Sequence, residues 1–209
     1  MKIENIKLPT IKEAEDLLIR AHEKNPGPWL SHSKVVARSA KKIAESSGLD
    51  GNTAYILGLL HDIGRYKGVT GLRHIYDGYS LLTGKGYSLI ARICLTHSFP
   101  NNNDKSLDSF CGRNDCTGDE IQKIKSELEK YKYDDYDKLI QLCDSISLAE
   151  GICILEIRLV DVVRRYRIFN ENILNKWDAF FGIKEYFDSK CGINIYRLFE
   201  EEITANSLK

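Results

Sequence analysis

His61 and Asp62 stand side by side at the end of an apolar run, Ala54-Tyr55-Ile56-Leu57-Gly58-Leu59-Leu60, and are followed by Ile63-Gly64-Arg65. A buried imidazole and a buried carboxylate are costly to desolvate unless a partner satisfies them. Adjacent helical residues point about 100° apart, so both side chains can address one point near the helix end. A divalent metal there would satisfy both groups and give them a task, the polarisation of a water or of a substrate oxygen. Gly64 would let the chain turn away at once and leave one side of the ion open. Taken alone, the dipeptide reads more readily as a helix-capping Asp beside a hydrogen-bonded core histidine. Two further positions shift that balance. His32 shares the inward stripe of its helix with Val36, Ser39 and Ile43, and Asp144 is flanked at helical spacing by Ile140 and Leu148. Four inward ionisable groups on three apolar helices are explained together by one cation.

In this order and on helices, His32, His61-Asp62 and Asp144 resemble the HD superfamily of metal-dependent phosphohydrolases. His61-Asp62-Ile63-Gly64 matches the HDIG form of its central motif. The resemblance spans roughly Trp29 to Ala149. It implies an HD-domain helical bundle and a divalent transition metal, as one ion or two. The implied activity is hydrolysis of a phosphomonoester, or of a phosphodiester or phosphoanhydride bond, in a nucleotide or dinucleotide. His74 and His97 resemble the extra ligands of dinuclear members, including those that cleave diadenosine tetraphosphate symmetrically. On that reading His32, His61, Asp62 and Asp144 hold one ion, while Asp62, His74 and His97 hold a second, with Asp62 bridging. Mixed imidazole and carboxylate donors suit iron, manganese, zinc or nickel better than a hard-cation cage.

The resemblance makes Asp62 the catalytic carboxylate that positions the ions and helps accept the proton of the nucleophile. Arg65 is the expected phosphate clamp, because a guanidinium pairs bidentately with phosphate. Lys67 and Arg73 share its basic loop and are further candidates for substrate binding. The Gly-Tyr-Pro sequence of cyclic-di-GMP phosphodiesterases is missing, since Gly78-Tyr79 is followed by Ser80, which disfavours that substrate. The alternative from a different class is a metal- or nucleotide-binding regulatory module without turnover. Degenerate modules of that kind usually lack a ligand, and this set is intact.

The segments that must position these groups read as helices almost throughout. Pro9-Thr10 opens a helix with Ala14, Leu17, Leu18 and Ala21 on one stripe, and Asn25-Pro26-Gly27-Pro28 ends it. Trp29 to Ser47 follows, with Gly48 as a stop, and then Asn52 or Thr53 caps the buried apolar helix that ends at the His-Asp pair. Gly64 to Gly71 reads as a basic loop. Further helices are expected over 72–83, 87–97, 119–131, 136–149, 154–168, 172–188 and 195–203. The polar stretch 99–118 is the longest expected loop. With strand signals nearly absent, the chain is expected to be all-α, a bundle of about ten helices. Residues 1–150 would form the HD domain, and 151–209 a C-terminal helical extension packed on the same core.

Composition narrows the partners. The 209 residues carry 30 basic and 30 acidic side chains, which leaves no footprint for general nucleic-acid binding. No apolar run approaches the roughly 20 residues of a membrane span, and the polar start lacks the layout of a secretory signal. The six cysteines are scattered, so a reducing cytoplasm with free thiols is expected; Cys111 and Cys116 lack the second ligand pair of a zinc clip. The expected partner is a small phosphate ester. Arg158, Arg164, Arg165 and Arg167 read as the solvated face of an amphipathic helix. Trp177, Phe180, Phe181 and Phe187 read as core or as a homodimer face.

Overall fold

The computed structural model describes residues 6–101, 106–110, 112–167 and 169–207. Ten α-helices lie among them, with no strand and one antiparallel bridge between Ser147 and Ile152. Helix α1 (Ile11–Lys24) begins in a reciprocal cap: Thr10 Oγ1 accepts from the Glu13 amide, and Glu13 accepts from the Thr10 amide at 2.7 Å. Helix α2 (Trp29–Ser47) stops at Gly48, whose φ of 80° only glycine adopts readily. Helix α3 (Gly51–Leu60) is capped by Asp50, which accepts from the Thr53 amide at 2.6 Å. That acid supplies the cap expected from Asn52 or Thr53, so the helix starts two or three residues earlier than those caps imply.

Helix α3 is buried on nearly every side, packed on α2. Gly58 permits this: a Cβ there would come within 2.9 Å of the Ala37 Cα. A short 3-10 turn (Ile63–Lys67) follows, where an open loop was expected. Helix α4 (Arg73–Gly84) and α5 (Ser88–Thr96) then pair. Gly64 has a role different from the expected sharp turn. A Cβ there would lie 1.9 Å from the His74 carbonyl oxygen, so the missing side chain lets α4 press against the turn.

Helix α6 (Gly118–Leu128) covers α4 and α5 through a small core of Leu72, Ile75, Leu95, Phe99, Ile124 and Leu128. Helix α7 (Asp135–Ser145) ends earlier than the expected 149, where the chain turns into the Ser147–Ile152 bridge. The stretch before α6 is ordered by its backbone: Asp115 accepts from the Gly71 and Arg73 amides at 2.7 and 2.9 Å, and the Leu72 amide donates to the Arg113 carbonyl. Cys111 lies outside the described residues; Cys94, Cys116, Cys143, Cys153 and Cys191 are free thiols.

Helices α8 (Leu155–Tyr166), α9 (Glu171–Cys191) and α10 (Glu200–Ser207) complete the chain. Leu155, Leu159, Phe180, Phe187, Ile195 and Phe199 belong to the same buried core as α1, α2, α3, α5 and α7. Arg38 of α2 pairs with Glu202, which also accepts from the Ile152 amide at 2.7 Å, tying the last helix to the start of the segment. Among the described residues no helix is long and apolar enough to cross a membrane.

Candidate metal centre

Four histidines and two aspartates converge where the C-terminal ends of α3, α5 and α7 meet the start of α4 and a side of α2. His61 ends α3 and Asp62 follows it; His97 ends α5; His74 lies in the first turn of α4; His32 and Asp144 come from α2 and α7. Helix ends deliver these groups because each terminus stops at the edge of the core and turns its last side chains into one space. The ring centroids of His61 and His97 are 5.0 Å apart, those of His32 and His61 5.4 Å, and those of His74 and His97 5.6 Å.

Three of the imidazoles are fixed in the same way. His61, His74 and His97 each donate Nδ1–H to the carbonyl three residues earlier: Gly58 at 2.7 Å, Gly71 at 2.5 Å and Cys94 at 2.9 Å. A carbonyl only accepts, so Nδ1 carries the proton and Nε2 carries a lone pair. All three Nε2 atoms face Asp62. Its Oδ1 lies 3.1 Å from His74 Nε2 and 3.7 Å from His97 Nε2, and its Oδ2 lies 3.9 Å from His61 Nε2. Lone pairs therefore meet a carboxylate with no proton between them. His61 Nε2 and Asp62 Oδ1 are buried and have no hydrogen-bond partner among the described residues. Groups left in this way are costly, and a cation placed among them removes the cost. The donors thus fit a divalent metal, and backbone carbonyls behind metal-facing histidines are the usual means of orienting them.

The remaining contacts agree. His32 Nε2 lies 2.9 Å from Asp144 Oδ1, which is 3.8 Å from His61 Nε2. Three sets of donor atoms lie within 4.8 Å of one another: His32, His61 and Asp62; Asp62, His74 and His97; and His61, His97 and Asp144. The first two share Asp62 and divide the residues as a dinuclear site would, while the third cuts across that division. Burial, reinforced by His61, pushes the His97 imidazole down to about 3, and burial also lowers His32. Both rings are neutral at neutral pH, the state a ligand needs. Burial works against the Asp62 carboxylate, but Arg65 beside it, together with His74 and His61, holds the carboxyl well below the usual range. Burial likewise opposes the Asp144 carboxylate, and the His32 contact holds its carboxyl down.

A cavity of about 570 Å³ opens from this cluster. Arg65 borders it, with Nε 2.5 Å from Asp62 Oδ2, so the guanidinium orients the carboxylate. Lys67 and Arg73 point elsewhere. Lys67 pairs with Asp77 at 2.7 Å, and Arg73 with Glu120 at 3.0 Å and Asp77 at 3.5 Å. Thr70, Arg158, Trp177 and Phe180 line the cavity without having been expected there. Arg158 was read as part of a solvated face; its side chain is only 16% exposed. Amphipathic spacing assigns a residue to a helix face but does not say which neighbour that face meets, so no sequence signal marked it.

The sequence profile of the HD domain matches residues 29–149, more than half of the chain, and all six converging residues fall inside the match. No curated protein and no solved structure matches the chain.

Proposed function

The chain belongs to the HD-domain family, and on that premise we propose that it is a metal-dependent phosphohydrolase acting on a phosphate ester of a nucleotide or dinucleotide. One observation carries the reading: three Nε2 atoms lie around a buried, ionised Asp62, and His61 Nε2 and Asp62 Oδ1 lack any hydrogen-bond partner among the described residues. His32, His61, Asp62 and Asp144 would hold one metal, and Asp62, His74 and His97 a second. When bound, a divalent transition metal supplies Lewis acidity, which makes an attacking water more acidic and draws charge from the phosphoryl oxygens.

The chain's own groups do the rest. Arg65 keeps Asp62 ionised and oriented, which suits that carboxylate to hold cations. Burial lowers His97 and His32, so neither ring brings a positive charge into the site that would compete with a cation. We assign residues 1–150 to the HD-domain unit and 151–209 to an extension that closes one side of the cavity.

Phosphate release from nucleoside phosphates, with manganese or iron added, tests the reading on native protein and on Asp62→Ala. Native protein should turn over, and Asp62→Ala should lose about 10³-fold or more in kcat, the scale of removing a group whose charge acts in the transition state. Equal rates in the two proteins would remove this mechanism. A native protein that retains metal but releases no phosphate would point to a regulatory module instead.

A further inference from the structure

Part of the cavity wall is built by α8 and α9, beyond the residues that the HD profile matches. Arg158 of α8 is its most informative member. The side chain is mostly buried, and Nη1 contacts Asp161 at 3.2 Å, but Nε is buried with no hydrogen-bond partner among the described residues. A buried guanidinium N–H without an acceptor loses hydration and receives nothing in return. Thr70, on the loop that leads into α4, repeats the situation: its hydroxyl is buried, unpartnered and on the same cavity. Two orphaned donors that line the same cavity as the His-Asp cluster are complementary to an anionic oxygen. Arg158 also lies close enough to His32 for its charge to add to the effect of burial on that ring.

The surroundings of Arg158 are apolar and aromatic. Leu159, Val162, Tyr166, Trp177 and Phe180 share its wall. Phe180 is buried, and Trp177 is half-buried with its ring against Phe169 at 5.9 Å. Flat apolar surface beside a guanidinium is the arrangement that accepts a ring on one side and a phosphate on the other.

We propose that α8 and α9 form the substrate subsite of this chain, with Arg158 and Thr70 binding the phosphate and Trp177 and Phe180 receiving a ring-bearing leaving group such as a nucleoside. This rests on the cavity being the substrate site of the phosphohydrolase proposed above, and its expected consequence is selection for a ring-bearing ester over a small aliphatic one. Arg65, held by Asp62, is a positioning residue in this assignment, and Arg158 takes the clamp role that Arg65 was expected to fill.

Binding of two probes whose P–C bonds resist hydrolysis tests the subsite without turnover: a nucleoside 5′-phosphonate and methylphosphonate. Calorimetry on the full manganese-loaded chain should show the nucleoside probe bound about tenfold or more tighter than methylphosphonate, the scale of one ring stacked on an aromatic side chain. Arg158→Ala should weaken both probes by about 10- to 100-fold, the scale of a charge-assisted hydrogen bond, with Arg158→Lys partly restoring affinity. Trp177→Ala should weaken the nucleoside probe alone. Metal content and circular dichroism, unchanged in each variant, would show that the centre and the fold survive. Equal affinity of native protein and Arg158→Ala for both probes would overturn the assignment, as would equal affinity of native protein for the two probes. The binding pattern without phosphate release would sink turnover while leaving the subsite standing.

Discussion

Helices α5 and α7 carry two clusters of buried charge, and the clusters are solved in opposite ways. Near the start of α7, Arg92 meets Asp137 with Nε 3.0 Å from Oδ1, and its Nη2 reaches Asp137 and Asp134. Asp137 also accepts from Thr96 at 2.8 Å and from the Asp134 amide at 2.8 Å, so both its oxygens are filled. Five residues further along α5 and seven along α7, His97 and Asp144 enter the metal centre, about 7.5 and 10.5 Å away at a helical rise of 1.5 Å per residue. There the chain leaves lone pairs and a carboxylate facing one another. One cluster is closed by protein groups alone. The other keeps two buried atoms, His61 Nε2 and Asp62 Oδ1, without a partner among the described residues. Both clusters hold an arginine, and the difference lies in what it leaves over: Arg92 and Thr96 fill Asp137, whereas Arg65 meets one oxygen of Asp62 and leaves those two atoms unpartnered among the described residues.

Substitution should separate the two clusters. Arg92→Ala strands Asp137 in the interior and should cost about 3–5 kcal/mol in denaturant unfolding, because removing one partner of a buried pair leaves an uncompensated charge. An unchanged midpoint would show that the closed cluster is not structural. The open cluster should gain from its missing partner: manganese at a hundred times its Kd should add about 2.7 kcal/mol to stability, and His61→Leu should abolish that gain. A thermal shift of equal size in His61→Leu would place the metal elsewhere.

Acid should also separate the two clusters. His97 has its folded value lowered to about 3 from an ordinary 6.5, so between those values the unfolded chain binds the extra proton. Stability of the metal-free protein should therefore fall as pH drops from about 6.5 towards 3. The lowered carboxyls of Asp62 and Asp144 add to the loss once pH passes below the ordinary carboxylate range. Denaturant unfolding at several pH values would show it, with a shallower slope in His97→Gln; an identical slope would mean that His97 is not the buried neutral base described. The smallest effect is expected from His61→Leu in metal-free protein, within about 1 kcal/mol, since an orphaned nitrogen is removed along with one hydrogen bond. A loss as large as that of Arg92→Ala would erase the distinction between the clusters.

Much of this was legible beforehand. The helix over Trp29–Ser47 and its glycine stop, the buried character of α3, and the inward stripe carrying His32 follow from local periodicity and capping. The sequence could also suggest that Gly64 mattered, but not why: its function is a close approach by α4, and contacts between distant backbones leave no local pattern. Lys67 and Arg73 looked equivalent to Arg65 in a basic loop. Only packing directs them to Asp77 and Glu120 and leaves Arg65 on the cavity. Arg158 reversed the other way, from an apparent surface charge to a half-enclosed donor.

The sequence alone determined an all-α chain with an HD motif, because helical periodicity, caps and the chemistry of His-Asp pairs are written in neighbouring residues. It also supplied the six ionisable groups at the ends or on the inner faces of helices. The tertiary structure decided what those groups do together: which nitrogen of each histidine faces Asp62, which basic residues are neutralised, and which wall the last helices build. Those outcomes depend on how helices far apart in the chain pack, since a tautomer, an ion pair or an orphaned donor is set by the atoms across the gap.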